Sequence, residues 1–214
     1  MLIANAELSV LQAVAQFFTY AVIAIFAENA VFFRSMGVSR LIKLVNDPDV
    51  NTWQYCIPTI LVQTLSAPLG WAVQNLLFPY LTSRTPDWLP LAALRPLAFL
   101  TCSLIAMAVV WVLVGISRKR AAYREQLPAA TFNCCVIGTL LISANQNYDL
   151  LQWIAFGFGS GLGYLVAVLV VDEGRRRLRS KDVPAIFRGL PSTLIYIGII
   201  SLAIYGLVGI GSAV

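Results

Sequence analysis

Two adjacent cysteines follow an asparagine in the apolar stretch FNCCVIG, which covers residues 132–138. Thiolates are the usual ligands of iron–sulfur clusters, and a cluster is usually held by four of them. Cys134 and Cys135 alone are too few, so a cluster at this stretch would need further ligands from a partner protein. The alternative use is packing, because free cysteine behaves as a small buried hydrophobe. The residues by themselves leave both uses open.

The other two cysteines, Cys56 and Cys102, lie within or at the edge of apolar stretches, and we expect them to serve in packing. This placement argues against a disulfide framework. The sequence contains no histidine, which excludes histidine-ligated haem, histidine-based zinc sites and Ser-His-Asp catalysis. A hydrolytic enzyme is therefore a weak interpretation.

A single acid, Glu28, interrupts the apolar stretch FAENAVFF at residues 26–33. A carboxylate within a membrane span is costly unless it pairs with a cation or meets water, and such residues commonly mark ion or proton routes. We therefore assign Glu28 to an ion path, with a carboxylate at the end of a span as the alternative. Arg34 follows this stretch, and we expect its guanidinium to anchor the span end by reaching lipid head groups.

The composition identifies an integral membrane protein. Hydrophobic residues make up 59% of the 214 residues, charged residues make up 12%, and the mean hydropathy is +0.78. Crossing a bilayer takes roughly 20 apolar residues in a helix. Six stretches approach that length, at residues 8–33, 53–81, 91–117, 127–144, 151–171 and 190–212. We predict an all-α fold with six transmembrane helices, forming one membrane domain over residues 1–214 without a soluble domain or a cleaved signal peptide.

The basic residues set the expected orientation. All 15 lysines and arginines except Arg84 and Arg95 fall with loops one, three and five. The positive-inside rule then places these loops in the cytoplasm and both termini on the outer face. Because the basic residues cluster at helix ends, anionic lipid head groups explain them, and nucleic-acid binding is not expected.

Two sets of three spans have opposite orientations, which is the arrangement of an inverted repeat. We place repeat one at residues 1–117 and repeat two at 118–214. Polar residues interrupt the first span of each set: Glu28 and Asn29 in span one, and Thr131 and Asn133 in span four. Such interruptions predict discontinuous half-helices in spans one and four. Backbone freed at membrane depth must be satisfied by protein or water, so we expect the two breaks to meet in the interior and form the candidate site.

Several motifs together resemble one family, the six-helix RnfA/NqrE-type membrane subunits of Rnf and sodium-translocating NADH:quinone oxidoreductase complexes. PAATFNCC, FGFGSGLGY and SKDVPAIFRGL in the second half resemble its motifs P-L-I-T-x-N-C-A, Y-G-F-G-S-G-x-G-W and Y-S-D-V-P-x-x-x-R-G-L. FAEN and TLSAPL in the first half resemble F-I-E-N and T-I-S-V-P-V. The resemblance covers most of the chain. It implies three plus three helices in the bacterial inner membrane, with outward-facing termini.

The resemblance also implies a function. Such a subunit pairs with an oppositely oriented homologue, and cysteines of the two hold an iron–sulfur centre in mid-membrane, where electrons cross while the complex moves sodium ions or protons. Cys134 matches the second-half ligand position, and Asn133 and Asn29 are implied to line the cofactor site. Ser39 stands where the family has its first-half cysteine. A serine hydroxyl is a far poorer iron ligand than a thiolate.

Two further departures from the family pattern concern the same site. Cys135 could replace the missing thiolate only with local unwinding, because consecutive helical residues point about 100° apart. The third span reads VVWV at residues 109–112, where the family has Q-x-x-E, so polar groups of that motif are absent.

The leading interpretation is a membrane subunit of a redox-driven ion translocase that is inactive as an isolated chain. The alternative is a small six-helix solute transporter or substrate-capture subunit that has lost the cluster, as Ser39 and Val112 would favour. A third interpretation, a scaffold subunit, predicts neither iron nor solute binding.

Overall fold

The computed structural model describes residues 2–46, 51–82, 91–115, 121–178 and 184–212. These ranges consist of helices and the turns between them, without any β-strand. The α-helices are α1 (Leu2–Ile25), α2 (Val38–Asn46), α3 (Thr52–Ala72), α4 (Phe78–Thr82), α5 (Leu91–Gly115), α6 (Ala121–Thr131), α7 (Cys134–Asn145), α8 (Leu150–Leu178) and α9 (Leu190–Ser212). A π-helix, Val73–Leu77, joins α3 to α4, and a short 3₁₀ helix, Ala185–Phe187, precedes α9.

Within these ranges, five helical segments are long and apolar enough to cross a membrane, and the pair α6 and α7 makes a sixth span when taken together. The prediction of an all-α, six-span membrane protein is therefore confirmed. The predicted start of span four at residue 127 was wrong, because the first helix of this broken span is already apolar enough to count from Tyr123. Arg124 is accommodated there because its guanidinium lies over the ring of Trp111, 4.0 Å from the centroid.

Helix α8 lies at the centre of the bundle, and its glycines bring two neighbours close. A Cβ on Gly159 or Gly163 would be within 3.2 Å of backbone atoms of α1, at Ala21 and Ile25. A Cβ on Gly161 would be 2.9 Å from the backbone of Ile60 on α3. These contacts fit the small-residue packing of membrane helices. They also show that α1 runs parallel to α8, since residue numbers rise together along both helices.

The bundle has two distinct ends. At one end, which we call the basic end, Arg175 of α8 donates a hydrogen bond to Asn46 of α2. At the opposite end, Trp71 of α3 and Asp149, just before α8, line a common cavity. The C-terminal ends of α2 and α8, which lead into loops one and five, therefore lie at the same end, as the distribution of basic residues predicted. Arg84, Arg118, Lys119, Arg120, Arg179 and Lys181 lie outside the described residues.

Spans one and four are both broken near mid-depth. Helix α1 ends at Ile25, beside Gly163 and close to the midpoint of α8, and α2 continues from Val38 to the basic end. The predicted extension of span one to Phe33 was wrong, since residues 26–37 are turns. Helices α6 and α7 meet at 49°. Both predicted discontinuities are therefore present, whereas the inverted repeat divided at residues 117 and 118 stays a prediction.

Candidate functional site

The two helix breaks meet at mid-depth. The backbone N–H of Gly37, one residue before α2, donates a hydrogen bond to the Sγ of Cys134, the first residue of α7, over 2.9 Å. The hydroxyl of Tyr164, at the midpoint of α8, donates to the carbonyl of Gly37 over 3.4 Å. From this junction α2 runs to the basic end, and α7 runs to the opposite end, so two helix N-termini face each other.

Asn133 lies between α6 and α7 and is the N-cap of α7. Its backbone is extended (φ −87°, ψ 128°), and its side-chain oxygen accepts a hydrogen bond from the N–H of Cys135 over 3.1 Å. This is the N-cap arrangement that Asn favours, because its side chain replaces a missing helical acceptor. Its Nδ2 donates to the hydroxyl of Tyr55, which donates in turn to the carbonyl of Ala129. Asn133 thus fixes the direction of α7 and the position of Cys134.

Asn29 holds the first break in a similar way. Its side-chain oxygen accepts from the N–H groups of Val31 and Phe32, at 3.0 and 3.2 Å. Its Nδ2 donates to the carbonyls of Ile25 and Gly163, at 2.8 and 3.0 Å. Helix α1 ends here because this side chain supplies the hydrogen bonds that a continuing helix would have made. Asn29 and Asn133 are both buried supports of the junction, and a direct contact of either with a cofactor stays a prediction.

Gly37 is a junction residue that sequence reasoning missed. Its φ is +79°, a conformation that residues with a Cβ rarely adopt. A Cβ here would also lie 2.8 Å from the side-chain oxygen of Asn133 and from a ring carbon of Tyr164. The only signal in the sequence was a glycine just before a short amphipathic stretch. Close approach of the two breaks therefore depends on glycine at this position.

The two adjacent cysteines have different surroundings. The Cys134 side chain is exposed at the junction. Cys135 is fully buried, and the Nε2 of Gln63 on α3 donates to its Sγ over 3.1 Å. The thiol of Cys135 therefore faces the bundle interior in this structure, and its use as a replacement ligand, which would need local unwinding, stays a prediction. Its surroundings also contain a buried hydrogen bond between Thr139 and Ser160, 2.8 Å long, which apolar patterning had not indicated.

Ser39, which the resemblance implies to stand at the family's cysteine position, is exposed in the first turn of α2, two residues after Gly37. The structure thus places Ser39 and Cys134 in the opening turns of two helices that start at the same junction. Among the described residues, no group of three or more histidine, cysteine or acidic side chains is arranged to hold a metal. All four cysteines are described, and Cys134 is the exposed one.

Glu28 forms an ion pair with Arg34 across the turns that follow α1, with 3.3 Å between Oε2 and the guanidinium nitrogen. The Glu28 side chain is 20% exposed and that of Arg34 is 38% exposed. The guanidinium also lies 5.3 Å from the ring centroid of Phe33. The prediction that Arg34 anchors the end of span one was wrong, because the span ends earlier and Arg34 is drawn to Glu28 within the break.

The chain is similar to known membrane subunits over most of its length. A family model described as "Rnf-Nqr subunit, membrane protein" matches residues 17–211. An ion-translocating oxidoreductase complex subunit from Aromatoleum aromaticum is 35% identical over 188 residues, which cover 86% of this chain and 91% of that protein. The protein of the same name from Tolumonas auensis is 32% identical over 182 residues, covering 82% and 84%. That from Shewanella baltica strain OS223 is 32% identical over 157 residues, covering 71% and 76%.

Proposed function

The chain belongs to the Rnf-Nqr family of membrane subunits, and we propose that it is an integral-membrane subunit of an ion-translocating oxidoreductase complex in which Cys134 contributes a thiolate to an iron–sulfur cluster shared with a partner subunit. The observation that carries the proposal is the position of this thiol. It is exposed at mid-depth, between two facing helix N-termini, and accepts a hydrogen bond from Gly37. Alone, the chain would be inactive.

The chemistry of the junction fits a thiolate. Facing helix N-termini present positive dipole ends, which favour negative charge on a nearby sulfur. The Gly37 N–H also matches the hydrogen bonds to sulfur that tune iron–sulfur clusters. When bound, such a cluster supplies one-electron transfer. This chain's own part is to hold the Cys134 sulfur in place through Asn133 and Gly37.

The donor set also requires a partner. Cys135 faces inward, and Ser39 offers a hydroxyl, so the described residues provide one exposed thiol. A cluster usually needs four thiolates, so the others must come from elsewhere. Phe132, 53% exposed beside this thiol, adds an apolar surface at the same depth. An oppositely oriented homologous subunit covering the junction would bury both side chains.

The orientation follows from the basic end. Contact between Asn46 and Arg175 joins the C-terminal ends of α2 and α8, and the positive-inside rule assigns that end to the cytoplasm. Both termini then lie on the outer face of the inner membrane, and α7 runs outward from the junction. Glu28, partly exposed in the first break, would lie on the ion path, with Arg34 balancing its charge while no cation is bound.

Anaerobic purification of the chain with its partner subunits tests this function. We expect a stable complex with visible-range absorbance that is reduced by Cys134→Ser and retained by Cys102→Ser, which removes a buried thiol on α5. A colourless complex that contains every partner would contradict the cluster. The solute-transporter alternative is not favoured, because the relatives described above are named as subunits of an ion-translocating oxidoreductase complex.

A further inference from the structure

A cavity of about 230 Å³ opens at the end of the bundle remote from the basic residues. Four of its lining residues carry amide or carboxylate oxygens: Gln74, Asn75, Asn147 and Asp149. Aromatic rings of Trp71, Tyr148 and Trp153 form much of the remaining wall. The cavity is separate from the Cys134 junction, because α7 lies between them along its length.

Irregular backbone presents the oxygens to this cavity. Gln74 and Asn75 lie in the π-helix Val73–Leu77, a feature that occurs frequently at functional sites. Asn147 has a φ of +50°, in the left-handed region that asparagine tolerates. Asp149 is exposed immediately before the first turn of α8. Both segments therefore depart from regular helix where they meet the cavity.

The polar groups of the cavity are incompletely paired. The Oε1 of Gln74 is buried without a hydrogen-bond partner among the described residues. A buried polar atom left without a partner costs about 1–3 kcal/mol, so its persistence calls for a ligand or water. The cavity wall thus contains one buried amide oxygen with free acceptor capacity, in Gln74, together with the exposed carboxylate of Asp149.

We propose that this cavity binds a monovalent alkali cation, with sodium as the probe. Hard cations prefer carboxylate, amide and carbonyl oxygens. A single carboxylate, Asp149, balances one positive charge, whereas dedicated calcium sites usually combine several carboxylates. The volume leaves room for the cation with some of its water, since a water molecule takes about 30 Å³ in the liquid. The proposal rests on the proposed function, because an ion-translocating complex must capture or release its ion at a membrane surface.

The floor of the cavity makes it an end site rather than a through path. Trp153 is 1% exposed and packs with Phe99 and Leu140 in a buried layer between the cavity and the centre of the bundle. Glu28 lies within electrostatic range of the cavity wall. Burial, and secondarily the Glu28 carboxylate, raise the pKa of Tyr148. The Glu28 carboxylate, in the break of span one, therefore acts electrostatically on one wall of the cavity.

Thermal unfolding of the full chain in detergent tests the site, with sodium, potassium or choline chloride at equal concentration. A cation that binds the folded state raises the unfolding midpoint in a concentration-dependent way. We expect a rise with sodium or potassium relative to choline. Asp149→Asn should weaken the apparent affinity about tenfold or more, as the loss of a charged contact does. Glu125→Gln, which removes an exposed carboxylate on α6, should leave the affinity unchanged.

Tryptophan fluorescence provides a second measurement that does not depend on unfolding. Trp71 and Trp153 line the cavity, so alkali cations should change the emission of the wild type with the same apparent affinity. Equal midpoints in all three salts, a greater effect of choline, or an undiminished sodium effect in Asp149→Asn would each overturn the site. The proposed function fails separately, since it requires assembly with redox partners and iron, neither of which these measurements involve.

Discussion

The Gly37 amide and the Cys134 sulfur lie 2.9 Å apart and join segments separated by 97 residues in the chain. This hydrogen bond fastens the start of α2 to the start of α7 at the level of Tyr164. Because both half-helices begin there, the junction holds an exposed thiol at mid-depth of the bundle, where another subunit would cover it.

Gly37→Ala should destabilise the protein and lower the iron content of the complex. The positive φ alone costs about 1–2 kcal/mol for a residue with a Cβ, and contact with Asn133 and Tyr164 adds to that cost. Thermal unfolding in detergent measures the first effect and iron analysis the second. Gly198→Ala is the matched control, because nothing lies within 4 Å of its Cβ position in α9. It should be neutral or slightly stabilising. Equal effects of both substitutions would contradict the claim that the junction requires glycine at position 37.

Asn133→Ala should cost about 0.5–2 kcal/mol of stability, the usual loss for an N-cap, and should also alter the position of Cys134. Asn51→Ala removes the N-cap of α3, where the side chain accepts from the N–H of Trp53. Both variants lose a cap, but we expect a changed rate of Cys134 alkylation in Asn133→Ala alone. Unchanged Cys134 alkylation in Asn133→Ala would contradict its positioning role.

The thiols should differ in reactivity. In the isolated chain, a membrane-permeant maleimide should label Cys134, whereas the buried Cys56, Cys102 and Cys135 should remain unlabelled, because reaction requires access. Peptide mass spectrometry identifies the labelled residue. Within the assembled complex, Cys134 should be protected. Rapid labelling of Cys134 in the iron-containing complex would be inconsistent with its role as a ligand.

Ser39→Cys should make the complex retain iron longer against a chelator. A second thiolate at the start of α2 would be a softer ligand than the serine hydroxyl. The measurement is the rate of absorbance loss after chelator addition, with Ser192→Cys on α9 as the control thiol. No difference between the two variants would show that the start of α2 does not face the cluster.

Glu28→Gln should lower ion translocation more than electron transfer in the assembled complex. The substitution removes the carboxylate and leaves Arg34 without its ion-pair partner. Stability should change by less than about 1 kcal/mol, because the pair is partly exposed. Glu173→Gln, which breaks an exposed pair with Arg177 on α8, is the control. If Glu28→Gln lowered ion translocation and electron transfer to the same extent, the assignment of Glu28 to the ion path would be contradicted.

The sequence was sufficient to predict the all-α membrane fold, both breaks and the position of Cys134 at the second break, whereas the role of Cys134 as a ligand stays a prediction. Apolar length and polar interruptions carry that information locally. The residue at which α1 ends, Ile25, could not be predicted, since Glu28 and Asn29 indicate only the approximate position of the break and one of the four hydrogen bonds of Asn29 is to distant Gly163.

Long-range contacts account for what was missed. Gly37 matters because Asn133 and Tyr164 approach it, and neither is close in sequence. Arg34 resembled a span-end anchor, because its pairing with Glu28 depends on the turns between them. The oxygens of the cation cavity come from two segments, around Gln74 and Asp149, whose proximity follows only from the antiparallel packing of α3 against α8.

The iron-to-protein ratio of the anaerobically purified complex tests the central claim most directly, measured for the wild type, Cys134→Ser and Cys102→Ser with partner subunits quantified in each sample. We predict that Cys134→Ser lowers the ratio while the partners still assemble, and that Cys102→Ser retains it. The same ratio in Cys134→Ser and the wild type, in complexes of equal composition, would contradict the assignment of Cys134 as an iron ligand.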